Sequence, residues 1–189
     1  MELARAGPIM GCASVVSFVI TWTVSAMLWG EWRLWSNSLS SIGVCDVMAA
    51  EIVFNVGCVI SGLLAYFLGL SLLKDRNFWF RWGGVTMVIC GIACVLIGIL
   101  DEDFGMTHLV IGGIYAGFAS GTMAITGAGD FIEGRKDLTI LATVLLLICG
   151  FFGILDMFLI FEPIAIICIL IWTFVQSIYM YRRNNREMV

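Results

Sequence analysis

The 189-residue chain has a single histidine and only two prolines, and charged residues make up just 13% of it. The lone histidine, His108, excludes a haem held by two histidines and a zinc hydrolase site built from several. Both lysines, Lys74 and Lys136, lie at predicted helix ends, which excludes a retinal Schiff base inside a helical bundle. The sequence also lacks Gly-x-Ser-x-Gly, His-Glu-x-x-His and a phosphate-binding loop. These absences remove many familiar enzyme classes.

Apolar residues account for 61% of the chain, and its mean hydropathy is +1.02. A soluble domain of this length could not bury so much apolar surface in one core. A helix of about 20 apolar residues crosses a bilayer. Six stretches are long enough: 8–29, 47–73, 83–100, 107–128, 138–160 and 163–181. The sequence predicts an all-α, polytopic six-transmembrane-helix bundle, one domain over residues 1–189, in the cell membrane.

Basic residues alternate with the predicted spans. Nine of the ten Lys and Arg residues fall before span one or after spans two, four and six, and only Arg33 falls on the other side. Because cytoplasmic loops attract Lys and Arg, this pattern predicts that both termini are cytoplasmic, N-in and C-in. The inner side then suits anionic membrane lipids. The outer side is acidic, which favours cations and argues against nucleic acid as a partner.

Polar residues form a layer near the outer ends of the predicted helices. Glu51 and Asn55 are four residues apart in helix two and so point the same way. His108 opens helix four, and Tyr115 lies two turns deeper on the same face. The layer also includes Asp101, Glu102 and Asp103 at the end of helix three, Asp156 in helix five and Glu162 at the start of helix six. Carboxylates inside a bilayer are costly and usually functional, so we predict an outward-facing acidic pocket among helices two, four, five and six.

The sequence leaves the function of this pocket open. As a binding site it would take a lipid headgroup, a cation or a small amine, through the candidates Asn37, Ser40, Asn55, Glu102, Tyr115 and Glu162. As an intramembrane hydrolase or transferase it would use His108 as base, with Glu51 or Asp156 as the acid or the orienting group. A transporter would need polar residues that continue inward, where the sequence offers mainly Ser, Thr and Gln176. A purely structural subunit is the fourth alternative. No cofactor and no metal site are predicted.

Glycines recur at helical spacings in three of the predicted spans. Small residues allow helices to approach closely, so we predict tight internal packing at these positions. Homo-oligomerisation through helix four is the alternative. The glycines are Gly62 and Gly69 in helix two, Gly84, Gly91 and Gly98 in helix three, and Gly113, Gly117 and Gly121 in helix four. The seven cysteines include no Cys-x-x-Cys pair, and six lie within spans, so we predict no disulfide.

Two short blocks of sequence resemble a known family. The first is Ser-Asn-Ser-Leu-Ser-Ser-Ile-Gly at 36–43, followed by Asn55 and Gly57, and the second is 98–103 followed by His108. They are similar to the integral membrane family catalogued as domain of unknown function 998, over roughly residues 10–180. More distantly, the chain resembles the Frag1/DRAM/Sfk1 group of lipid-associated membrane proteins.

This resemblance implies a six-helix bundle with no assigned activity. Ser41 stands where the family usually has Asp, so the chain departs from the family's motif at that carboxylate. The motif residues would all lie in the outer half: Asn37, Ser40, Gly43, Asn55, Glu102 and His108.

Overall fold

The structure is a computed structural model, and it describes residues 2–154 and 158–186. Its six long helices are α1 (Glu2–Trp29), α2 (Met48–Leu72), α3 (Phe78–Ile99), α4 (Met106–Ile132), α5 (Lys136–Ile154) and α6 (Phe158–Arg186). Each is long and apolar enough to cross a membrane, and no strand occurs among the described residues. The predicted all-α fold with six spans is confirmed, and the protein is a multi-pass membrane protein.

The start of α3 differs from the predicted boundary at residue 83. The helix begins at Phe78 because Asn77 caps it, with its side-chain oxygen accepting a hydrogen bond from the Trp79 backbone nitrogen at 2.8 Å. Such a cap satisfies one of the free N–H groups of a first helical turn. The aromatic segment that follows Asn77 is therefore helical.

Successive helices run in opposite directions, so the bundle has two distinct ends. One end holds the α1–α2 and α3–α4 connections and the start of α6, and we call it the Ser40 end. The other holds the α2–α3 and α4–α5 connections and the end of α6, and we call it the Arg135 end. Helices α1 to α4 pack on one another in sequence, and α6 packs on α1 and α5. Contact between α4 and α6 is slight, which leaves space between them.

Glycines bring α2 and α3 into backbone contact, as predicted. A Cβ added to Gly91 would lie 2.7 Å from the backbone nitrogen of Tyr66, and one added to Gly62 would lie 2.7 Å from the Gly91 carbonyl oxygen. Gly69 and Gly84 approach each other in the same way one level closer to the Arg135 end. The α2–α3 hairpin is thus packed on its backbones rather than on interlocking side chains.

The glycines of α4 do not pack internally, and that prediction is wrong. A Cβ added to Gly113, Gly117 or Gly121 would have no atom of the described residues within 4 Å. The reason is the direction in which they point, because the buried residues of α4, such as Ala119 and Met123, lie on the opposite side of the helix. The glycine stripe of α4 forms an open groove on the outer surface of the bundle.

A buried ion pair joins α4 to the start of α5 at the Arg135 end. Asp130 is fully buried, and one of its oxygens lies 2.7 Å from a guanidinium nitrogen of Arg135. The guanidinium carbon lies 5.0 Å from the ring centre of Phe80 and 4.6 Å from that of Tyr179. Burial lowers the pKa of Arg135, but the Tyr179 hydroxyl and the carboxylates of Asp130 and Glu133 raise it by more, so its net pKa lies above the ordinary value.

Replacing one glycine in the α2–α3 contact should destabilise the protein. We expect Gly91→Ala to lower the free energy of unfolding by about 1–3 kcal/mol, because the new methyl group would meet backbone atoms that cannot move aside. The matched control Gly121→Ala should be neutral or stabilising, by up to about 1 kcal/mol, because its methyl group enters open space and alanine favours helix. Thermal unfolding in detergent measures both, and equal effects would contradict this account.

Breaking the ion pair between Asp130 and Arg135 should destabilise the protein more than Gly91→Ala does. Arg135→Leu leaves the Asp130 carboxylate buried without its partner, and we expect a loss of about 3–5 kcal/mol in the free energy of unfolding. The neighbouring Lys136→Leu removes an exposed charge and should change it by less than about 0.5 kcal/mol. Reversible unfolding of the two variants in mixed micelles tests the difference. A harmless Arg135→Leu would show that the pair does not stabilise the bundle.

Candidate functional site

The α1–α2 connection folds back into the Ser40 end of the bundle. Its middle is a short 3-10 helix, Ser40–Val44. Leu39 is 2% exposed and Ile42 is fully buried, and both pack in a cluster with Phe18 and Phe54. The apolar side chains within this serine-rich segment therefore anchor it among the helices.

The backbone of this buried connection is satisfied by side chains from other helices. The Glu162 carboxylate accepts hydrogen bonds from the backbone nitrogens of Leu39 at 3.0 Å and Ser40 at 3.3 Å. The side-chain nitrogen of Asn55 donates to the Gly43 carbonyl at 3.0 Å. Irregular backbone inside a membrane protein requires such partners, because lipid supplies none.

Two carboxylates converge on one hydroxyl at this end. Ser40 Oγ lies 2.5 Å from a Glu102 oxygen and 3.4 Å from a Glu162 oxygen, and Ser38 Oγ donates to Glu102 at 3.1 Å. Neither glutamate forms an ion pair with a basic side chain among the described residues. Arg33, the one base in the adjacent connection, donates instead to backbone carbonyl oxygens. The two acidic side chains thus lie together without a cationic partner from the described parts of the chain.

His108 is held in one orientation beside them. Its Nδ1 lies 2.6 Å from the carbonyl oxygen of Leu100. A carbonyl oxygen only accepts hydrogen bonds, so Nδ1 carries a proton. In the neutral ring, Nε2 is then left as a hydrogen-bond acceptor. His108 is half-buried and lines the cavity described next.

A cavity of about 390 Å³ lies beneath the connection, in the space between α4 and α6. Its polar end is formed by Ser40, Glu102, His108 and Glu162. Most of the remaining wall is apolar and includes Phe18, Phe54, Ile97, Leu109, Phe161, Ile166 and Ile169. Small-molecule sites in proteins combine a mainly apolar lining with a few converging polar groups in the same way.

A second, much smaller chamber of about 30 Å³ lies one helical turn deeper. The two spaces share a layer of four residues, Phe18, Cys94, Tyr115 and Ile169, which forms the floor of the upper cavity. The Ser61 hydroxyl lines the lower chamber, is buried, and has no hydrogen-bond partner among the described residues. A chamber of this size with a free hydroxyl can hold a water molecule.

The structure brings some of the predicted site residues together and separates others. Ser40, Glu102, His108, Tyr115 and Glu162 all line the cavity.

The other candidates lie elsewhere. Asn55 supports the connection through its bond to Gly43, and Asn37 accepts a hydrogen bond from the Arg33 backbone nitrogen at 2.9 Å. Glu51, in the first turn of α2, does not line the cavity. Asp156 lies outside the described residues.

Sequence reasoning missed the contribution of the connection itself. The donors that hold Glu162 are backbone N–H groups of Leu39 and Ser40, which carry no sequence signature. Ser38 was also missed, although the run of hydroxyl residues at 36–41 was a visible signal. The predicted pocket drew on helix five, but no described residue of α5 lines the cavity.

The arrangement suits recognition of a positively charged or hydrogen-bond-donating group. Within the described parts of the chain, no three His, Cys, Asp or Glu side chains are grouped so that they could hold a metal ion. All seven cysteines are free thiols. The groups that remain at the polar end are acceptors: two carboxylates and, in the neutral ring, His108 Nε2.

A family model described as "Protein of unknown function (DUF998)" matches residues 12–179 of the chain. The matched range contains the buried connection and every residue that lines the cavity. No curated protein and no solved structure gives a significant match.

Removing the carboxylate that holds the connection should loosen the Ser40 end. Glu162→Ala leaves two buried N–H groups without acceptors, and we expect the free energy of unfolding to fall by about 2 kcal/mol or more. Glu31→Ala, which removes an exposed carboxylate from the same connection, should change it by less than about 0.5 kcal/mol. Unfolding in detergent and protease cleavage within 36–44 report the two effects. Equal resistance of both variants to the protease would contradict the role given to Glu162.

Proposed function

The chain belongs to the DUF998 family, whose description assigns no activity, and from the cavity we propose that it binds an amine-bearing ligand. The ligand's protonated amine would lie between Glu102 and Glu162, and its apolar part would lie along the cavity wall. The observation that carries this proposal is the convergence of two carboxylates, unpaired with any described basic side chain, at one end of an otherwise apolar space.

Charge supports an amine over a neutral or anionic group. Two carboxylates near each other in a poorly solvated site repel, and a cation between them removes that repulsion. An ammonium group has three hydrogen-bond donors and no acceptor. The polar end offers the complementary set, with carboxylate oxygens from Glu102 and Glu162 and the hydroxyl oxygen of Ser40.

The walls and the size of the cavity support a ligand that also has an apolar part. A volume of about 390 Å³ is within the range of about 300–1,000 Å³ typical of ligand sites. A bare inorganic cation would leave most of this space unfilled. An organic amine would fill it and contact side chains such as Phe54, Phe161 and Ile166.

We place the cavity at the outer face of the cell membrane. The basic residues at the Arg135 end support this orientation, because positive charge favours the cytoplasmic side. They are Arg5, Lys74, Arg76, Arg81, Arg135, Lys136, Arg182, Arg183 and Arg186. The Ser40 end, where Glu102 and Glu162 lie, would then face outward.

An enzymatic role has one observation in its favour: His108 lines the cavity, and its Nε2 makes no hydrogen bond to any described residue. A general base usually has an orienting carboxylate within hydrogen-bond reach. Here the orienting partner of His108 is the Leu100 carbonyl, and Glu51 does not line the cavity. We therefore favour binding, and release of a chemically altered amine from the purified protein would support the enzyme instead.

Dodecylamine is a suitable probe for this function. We expect native mass spectrometry of the protein in detergent to show one bound dodecylamine, with dodecanol bound at least about tenfold more weakly because it lacks the charge. Glu102→Gln should weaken amine binding by about tenfold or more, because it removes one charged acceptor.

The matched control is Asp103→Asn, which removes a negative charge from the next residue without touching the cavity. It should change the affinity for dodecylamine by less than about twofold, because the Asp103 side chain is exposed and charge interactions in contact with water are weak. Equal binding of the amine and the alcohol, or equal effects of the two substitutions, would refute the proposed function.

A further inference from the structure

One residue of α4 belongs to both the cavity and the outer surface of the bundle. Gly113 lines the cavity, and it also lines the open groove formed with Thr86, Val110, Ile114, Gly117, Phe118 and Gly121. No atom of the described residues lies within 4 Å of the position that a Cβ on Gly113 would occupy, and the same holds for Gly112 beside it. At this point no side chain of α4 separates the cavity from the surface that faces lipid.

The neighbouring residues of α4 are open as well. Leu109, one turn before Gly113, lines the cavity and is 51% exposed. Gly105, at the start of the helix, lines it and is also exposed. Because the backbones of α4 and α6 come close at only a few points, this flank of α4 borders the space between the two helices.

By contrast, the α1–α2 connection covers the route from water to the polar end of the cavity. Ser38, Leu39 and Ser40 form the part of the α1–α2 connection next to the polar end, and none of them is more than 9% exposed. Hydrogen bonds to Glu102 and Glu162 hold this segment in place. A ligand that entered from the aqueous side beneath this segment would have to displace it.

We infer that the ligand enters the cavity sideways from the bilayer, past Gly112 and Gly113, and is a membrane-dissolved amphiphile with an amine headgroup. This inference rests on the proposed function and adds the source and class of the ligand. The charge of Glu102 and Glu162 would draw the amine inward, while the apolar chain passes the side-chain-free section of α4. The glycines at 112 and 113 keep this passage open.

The glycine stripe supplies a matched pair of variants for the test. Gly113→Leu would place a bulky side chain in the passage, whereas Gly117→Leu would place the same side chain one turn away, in the same groove but outside the cavity. A Cβ at either position would meet no atom of the described residues within 4 Å, so both leucines begin in equally open surroundings, and thermal unfolding checks that the two variants are folded alike.

The probe is dodecylamine with a photoreactive diazirine at the end of its chain, carried in phosphatidylcholine vesicles. These donor vesicles are mixed with proteoliposomes, and labelling is followed over time by mass spectrometry of the protein. We expect Gly113→Leu to label at least about tenfold more slowly than wild type, because a blocked passage lowers the association rate. Gly117→Leu should label at the wild-type rate.

Butylamine added from water distinguishes a blocked passage from a filled site. It is short enough to occupy only the polar end, and its competition against labelling at equilibrium should be the same in wild type and Gly113→Leu. Equal labelling rates for Gly113→Leu and Gly117→Leu would overturn lateral entry while leaving the binding function intact. Loss of butylamine competition in Gly113→Leu would also overturn it, because the leucine would then act within the site.

Failure of the proposed function has a separate signature. In that case the wild-type protein would label no faster than Glu102→Gln. This result does not depend on how fast Gly113→Leu and Gly117→Leu label. Specific labelling of wild type that Glu102→Gln abolishes, together with the difference between Gly113→Leu and Gly117→Leu, would support both proposals.

Discussion

The Glu162 carboxylate fixes the position of the α1–α2 connection, and the geometry of the Ser40 end depends on that contact. A segment without regular helix can lie within a membrane bundle only if its N–H and C=O groups find partners. Glu162 accepts from two successive backbone nitrogens, and Asn55 and Trp32 bind carbonyl oxygens of the same segment. Once the segment is fixed, it covers the cavity and directs the Ser40 hydroxyl towards Glu102.

Buried carboxylates have different partners at the two ends of the bundle. At the Arg135 end, the Asp130 carboxylate has a guanidinium partner that also stacks on aromatic rings. The two charges of such a pair compensate each other within the protein, and removing one of them leaves the other buried and uncompensated. At the Ser40 end, Glu102 and Glu162 share hydroxyl and backbone donors but have no cation among the described residues. That difference is the reason why we propose that an external cation binds at the Ser40 end.

Glycines show why a sequence pattern can have two structural outcomes. Regular spacing of small residues marks a face where something can approach closely. In α2 and α3 the partner is the neighbouring helix, as at Gly62 and Gly91. In α4 the equally regular stripe, which includes Gly113, has no described partner within 4 Å of its Cβ positions. The spacing is a property of one helix, but the partner depends on how the helix is rotated in the bundle.

The sequence by itself determined the number of membrane helices, because the apolar content of a 20-residue segment decides whether it can cross a bilayer. It also predicted several of the polar residues that line the cavity, including Ser40, Glu102 and Glu162. Only the tertiary structure decided that these residues meet. Backbone N–H donors from the α1–α2 connection hold Glu162, and the slight backbone contact between α4 and α6 leaves one space that all of these residues line. Contacts between residues more than a hundred positions apart, such as Leu39 and Glu162, depend on how helices pack, and local periodicity carries no information about that.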